Sequence, residues 1–205
     1  MKPIEKLILS SVYIASISDK TPLKVIKENA KINDDIIELE INKVIANQLL
    51  NEDRVTLTDL GRASLKVVLA GGVFDIIHPG HIHTLNAAKD LGDVLVVVIA
   101  TDKTAEKMKK RLPLHTQDQR KMLVDSLSMV DLSIVGHEND IFKTVEIIRP
   151  QIIALGYDQV HQEKFIIEGC KKINLDITVA RLQSPIPELS SSIIEKKYGD
   201  KIHDI

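Results

Sequence analysis

Val67-Val-Leu-Ala-Gly71-Gly72-Val73-Phe74-Asp75-Ile-Ile-His78-Pro79-Gly80-His81 is the stretch on which the reading of this chain turns. A short apolar run ends in two glycines, and a few residues later a proline-led helix begins. Paired glycines let backbone N–H groups approach an anion closely, and the helix N-terminus adds unpaired donors and a positive dipole end. His78 and His81 stand three apart, so in a first helical turn they share a side and point at one ligand. Two imidazoles beside a phosphate can donate hydrogen bonds to oxygens that gain charge in a transition state. Nothing in the stretch supplies a nucleophile. The chemistry it suggests is direct attack by a second substrate, with the protein contributing position and charge stabilisation. His83 falls two past His81 and reads as solvated or packing. No carboxylate or third ligand at suitable spacing accompanies the pair, so no metal site is read there.

Outward from this turn, residues 66–205 alternate β and α. Val94 to Ala100 is a continuous apolar, β-branched run, as in a strand buried on both faces. Val130 to Val135, Ile152 to Leu155 and Ile177 to Leu182 read as further strands. Helical segments fall at Pro79 to Lys89, Gln117 to Leu127, Ile141 to Ile148, about Gln162 to Ile173, and Ser191 to Lys197. Five strands joined by helices predict an α/β fold with a doubly wound, mostly parallel, Rossmann-like sheet. Ligands then belong at the carboxyl ends of the strands.

Residues 1–65 have a different grammar and predict a small winged-helix-like domain. Pro3 to about Ile17 and Pro22 to Asn29 read as helices, the second capped by Thr21. Asn33 can cap a third, with Ile36, Ile37, Ile41, Val44 and Ile45 on one face. Val55 to Arg62 alternates and turns like a small β-wing. The start of the third helix carries Asp34, Asp35, Glu38 and Glu40, which repel phosphate. Over residues 1–67 eight Lys and two Arg balance five Asp and five Glu, so packing or dimerisation is favoured over DNA reading.

The whole chain of 205 residues has a formal net charge of −2, with three Phe, three Tyr and no Trp. That composition argues against a basic phosphate-coating protein and against a stacking nucleic-acid binder. Cys170 is the sole cysteine, which excludes an internal disulfide and fits a reducing cytoplasm. The longest apolar run, Val94 to Ala100, is far short of the ~20 residues a membrane span needs. Leu7 to Ile17 is apolar, yet its serines and helical spacing fit an amphipathic helix better than a signal peptide.

The first motif resembles the G-x-F-D-x-x-H-x-G-H signature of the cytidylyltransferase-like nucleotidyltransferases, and the similarity extends over Lys66 to Lys197. The resemblance implies an enzyme that attaches a nucleotide to a phosphate group and releases pyrophosphate. It implies that His78 and His81 bind the nucleotide phosphates and stabilise the transition state. Gly72, Val73 and Phe74 would line that pocket through their backbone, with Val73 where the family often has Thr. Asp75 would lie on the acceptor side. A lysine of the loop from Lys103 to Arg111 would meet phosphate, Lys109 or Lys110 being the counterpart. Arg120 would anchor the loop or the base, and Gly156, Tyr157 and Asp158 would lie against base and ribose. Ser190, Ser191 and Ser192 would open a helix on the β- and γ-phosphates, and Arg181, toward the acceptor, resembles the arginine that precedes them.

The Gly-Tyr-Asp-Gln segment and the Ile186-Pro187 insertion are similar to archaeal FAD synthetases. That branch implies transfer of AMP from ATP to FMN with Mg²⁺ or another divalent cation, in a cytoplasmic homodimer with no membrane or nucleic-acid partner. A CTP-dependent glycerol-phosphate cytidylyltransferase is the alternative within the class. A winged-helix regulator sensing a nucleotide or flavin is the alternative outside it. Candidates to stack on a flavin ring are few: Phe74, Phe142, Tyr157 and Phe165.

Overall fold

The computed structural model describes residues 1–157, 159–183 and 194, and the chain divides into two compact units, Met1–Lys66 and Val67–Ile205. In the first unit α1 (Pro3–Ser16), α2 (Pro22–Asn29) and α3 (Asp34–Ala46) bury Ile8, Leu9, Val12, Val25, Ile26, Ile37 and Val44. Thr21 and Asn33 accept the backbone N–H groups of Lys24 and Asp35, so both caps act as their side-chain oxygens dictate.

The wing differs from the expectation. A single antiparallel bridge joins Leu50 to Leu57, and the chain then enters a helix, α4 (Asp59–Ala63), where a second strand of a wing was expected. Thr58 is the reason, because its Oγ1 accepts the Gly61 N–H at 3.0 Å and so starts a helix two residues after the bridge. Gly61 lets that helix settle on Leu49, whose carbonyl oxygen lies 1.8 Å from where a Cβ would stand.

The second unit is an all-parallel five-stranded sheet in the order β3-β2-β1-β4-β5. Its strands are β1 (Val67–Gly72), β2 (Val94–Ile99), β3 (Leu132–Val135), β4 (Ile152–Leu155) and β5 (Thr178–Arg181). All six residues of β2 are buried, as a strand covered on both faces requires. The helices are α5 (Pro79–Lys89), α6 (Asp102–Lys109), α7 (Gln117–Asp125), α8 (Ile141–Ile148) and α9 (Glu163–Lys172), with a 3₁₀ turn at Val160–Gln162 before the last. Strand order reverses between β1 and β4, which leaves a crevice outside their carboxyl ends.

One element is new. The stretch read as a basic loop is helical as α6, capped by Thr101 and ended by Lys110 in the left-handed region at φ 58°. Its polar sequence has no apolar periodicity to betray it. The predicted last helix from Ser191, with Ser190, Ser191, Ser192 and the Ile186-Pro187 insertion, lies outside the described residues, as does Asp158. Among the described residues no helix is long and apolar enough to cross a membrane.

Candidate active site

Register places the end of β1 beside the end of β2, with Gly72 opposite Ile99, and the chain leaves the sheet there through a tight turn. Phe74 holds a positive φ of 54°, a conformation unusual for a residue with a large side chain. Its ring folds back over Gly72, where an added Cβ would sit 2.9 Å from the ring, so glycine is required by this close approach. The same ring packs 5.1 Å from that of His81.

His78 stands at the N-cap of α5 and His81 in its first turn, with ring centroids 4.0 Å apart. His78 Nδ1 accepts the Gly80 N–H at 3.2 Å, which leaves Nε2 to carry the proton of the neutral ring and to donate it to a ligand. His81 Nδ1 is buried and makes no hydrogen bond among the described residues. Burial, then the positive charge of Lys109, lowers the His78 pKa. Burial, then His78 and Lys109, brings His81 down to about 4. Both rings are therefore neutral at pH 7 and can act as oriented donors without the desolvation cost of a buried imidazolium.

Around the pair opens a cleft of about 310 Å³. Of the residues singled out in the sequence, Gly72, Val73, Phe74, Asp75, His78, His81, Lys109, Gly156 and Tyr157 line it. Lys110, Arg120 and Arg181 do not. Lys110 is the exposed, left-handed cap that turns the chain after α6. Arg120 is fully buried; its guanidinium donates to Val73 O (2.6 Å), His115 O (3.0 Å) and Asp102 Oδ1 (2.8 Å), so it braces the turn from behind and has no surface for a nucleotide. Arg181 sits on edge strand β5 and pairs with Glu163, outside the cleft. Asp75 reaches the lining, with its carboxylate 1 % exposed and paired with Arg111 at 3.0 Å. The basic run thus divides: Lys103 pairs with Glu138 at 2.8 Å, and Lys109 faces the histidines.

A second cavity, of about 180 Å³, lies on the other side of the β1 end. Its walls are mostly apolar, built from Leu69, Val98, Ile153, Ile141 and Ile166, with Thr101, Thr104 and His137 as polar points. Gly71, Gly72, Met108, Ala154 and Gln159 line both cavities. Gln159 ties the ends of the two strands across the crevice, donating to Gly71 O at 3.3 Å and accepting the Gly156 N–H at 3.1 Å. Sequence reading missed this cavity, the roles of Gln159 and Arg111, and the shared wall. The one available signal was position, since most of these residues follow a strand's carboxyl end.

A cytidylyltransferase-like family model matches residues 69–197, a span that holds the glycine turn, both histidines and the whole sheet beyond the first residues of β1. The chain belongs to the cytidylyltransferase-like family. Within this family it is 50% identical over 125 residues to an FAD synthase of Picrophilus torridus, a stretch that is 61% of this chain and 89% of that protein. An FAD synthase of Aciduliprofundum boonei is 47% identical over 133 residues, 65% of this chain and 80% of its own. Among solved structures, a lipopolysaccharide core biosynthesis protein of Thermoplasma volcanium superposes with a TM-score of 0.56 at 42% identity, covering 58% of this chain and 98% of that one. The family match leaves the N-terminal unit, with α1 to α4, outside it.

Proposed function

We propose that the chain makes FAD by moving the adenylyl group of ATP onto the phosphate of FMN. The observation that carries this reading is the shared wall at Gly71 and Gly72, where a cleft that presents His78, His81 and Lys109 to a triphosphate adjoins a more apolar cavity fit for a planar ring. A phosphate oxygen of FMN attacks the α-phosphorus of ATP, the bond from that phosphorus to the bridging oxygen breaks, and pyrophosphate leaves with the electron pair. His78 donates through Nε2–H to the oxygens that gain charge, His81 beside it is the second neutral donor, and Lys109 supplies the nearby positive charge. Backbone groups of Gly72, Val73 and Phe74 cradle the phosphates, while Gly156 and Tyr157 flank base and ribose. Asp158 and the Ser190–Ser192 run complete the same reading from outside the described residues.

The flavin ring is assigned to the apolar cavity. Of the four aromatic candidates only Phe74 and Tyr157 line either cavity, whereas Phe142 and Phe165 pack on each other at 5.2 Å. Aliphatic walls therefore take the place of a stacking partner. The divalent cation is assigned to the metal–ATP substrate, where a hard cation bridges phosphate oxygens. The reading includes an accessory domain over 1–65, a nucleotidyltransferase domain over 66–205 and a cytoplasmic homodimer; the division into two compact units supports the first two.

Incubation with ATP, FMN and Mg²⁺ tests this by the product formed: FAD and pyrophosphate accumulate one for one, and EDTA stops both. Binding of FMN with no FAD formed would instead support a flavin-sensing regulator.

A further inference from the structure

Two arginines and one aspartate tie the segment between α6 and α7 to the phosphate turn. Arg120 Nη1 donates to Val73 O at 2.6 Å, and Arg111 Nη1 pairs with Asp75 Oδ2 at 3.0 Å. The His115 N–H donates to Asp75 Oδ1 at 3.2 Å, and His115 Nδ1 lies 3.0 Å from Asp75 O. Asp75 is thus the one side chain of the turn that holds both a side chain and a backbone group of this segment. It is sealed, at 1 % exposure, and its arginine partner is only 21 % exposed. With so little water around the charge pair, removing one member strands the other in a poor solvent.

The segment so held begins at the residue that matters. Lys109 is the last residue of α6 and lines the cleft beside the histidines; Lys110 then reverses the chain in its left-handed conformation, and Arg111 follows at once. Only one residue, Lys110, separates the lysine from its fastening point. We infer that Asp75 is a positioning residue that acts through Arg111 and His115 to fix the end of α6, so that Lys109 is held against the histidine pair before any nucleotide arrives. The role rests on the nucleotidyl-transfer reading above. It replaces acceptor contact as the reason for an aspartate at this position: a cation already in place costs no reorganisation when negative charge develops.

Kinetics and imidazole titration test it together, in Asp75→Asn, Lys109→Ala and the double variant. Asp75→Asn lowers kcat/KM for ATP about tenfold, and in the Lys109→Ala background the same change costs less than about twofold. Without substrates, NMR titration of His78 and His81 shows both pKa values moving upward in Asp75→Asn, as in Lys109→Ala, because the lysine charge has withdrawn. Arg111→Lys keeps the charge and retains activity near that of the wild type. Losses that multiply in the double variant, or imidazole titrations unmoved in a folded Asp75→Asn protein, overturn the inference. If Asp75→Asn does not fold, Arg111→Gln takes its place with the same expectations. A wild-type protein that transfers no adenylyl group refutes the function and not the fastening, since the titration needs no substrate.

Discussion

The two cavities at the end of β1 share five residues and little chemistry. The histidine cleft consists of groups with direction: a donor on His78, a lysine ammonium, and backbone freed by Gly72 and the left-handed Phe74. The cavity across the strand consists of shape, with Leu69, Val98, Ile153, Ile141 and Ile166 drawn from β1, β2, β4, α8 and α9. A transferring phosphate needs oriented dipoles and so demands particular residues at fixed spacing. A flat organic ring needs volume and exclusion of water, which many aliphatic combinations provide. One side of the site should therefore respond to single substitutions with losses in turnover, and the other with losses in acceptor affinity.

The sharpest break between the sides is His81→Ala. Turnover should fall roughly 10³-fold, in the range for removing one preorganised donor, with circular dichroism unchanged. A variant within a few-fold of wild type would remove the histidine pair from the mechanism. The same substitution tests the burial of that ring. The folded pKa of His81 lies near 4, below the ordinary value of 6.5, so as pH falls through that window the unfolded chain takes up a proton that the folded one refuses. Its neutral burial is without penalty above pH 6.5, and roughly 3 kcal/mol of stability is lost between there and pH 4. Urea unfolding at pH 7 and pH 4 should show the wild type losing about that much more than His81→Ala. Equal losses would mean that the ring is solvated.

On the apolar side, Ile141→Trp fills the cavity from its rim, where Ile141 is 39% exposed and tolerates bulk. The KM for FMN should rise about tenfold while that for ATP changes little, a discrimination of the size that small apolar changes produce in a pocket. A rise in the ATP KM alone would exchange the occupants of the two cavities.

The same contrast explains what could be read from the sequence. The order of strands and helices beyond Val67, the parallel sheet and the histidine turn were legible because buried strands are apolar runs and phosphate turns need Gly and His at set distances. Helix α6 was not legible, because Asp102–Lys109 offers only Ala105 and Met108 as apolar positions among charged neighbours, and its start is capped by Thr101. Nor was the wing, which Thr58 converts into a helix. Arg120 was legible as an anchor and does brace the phosphate turn, and Asp75 is tied to Arg111 in the same turn; charge at a site does not by itself distinguish holding from binding. The apolar cavity left no trace beyond position at the strand ends, since aliphatic residues read as ordinary core until the fold assembles them.

Pyrophosphate release with ATP or CTP offered against FMN or glycerol 3-phosphate bears most directly on the account. The expected result is release with ATP and FMN together, with FAD as co-product, and at most background in the other three combinations. Release confined to CTP with glycerol 3-phosphate would contradict it, because a polar acceptor of that size has no use for the apolar cavity beside the histidines.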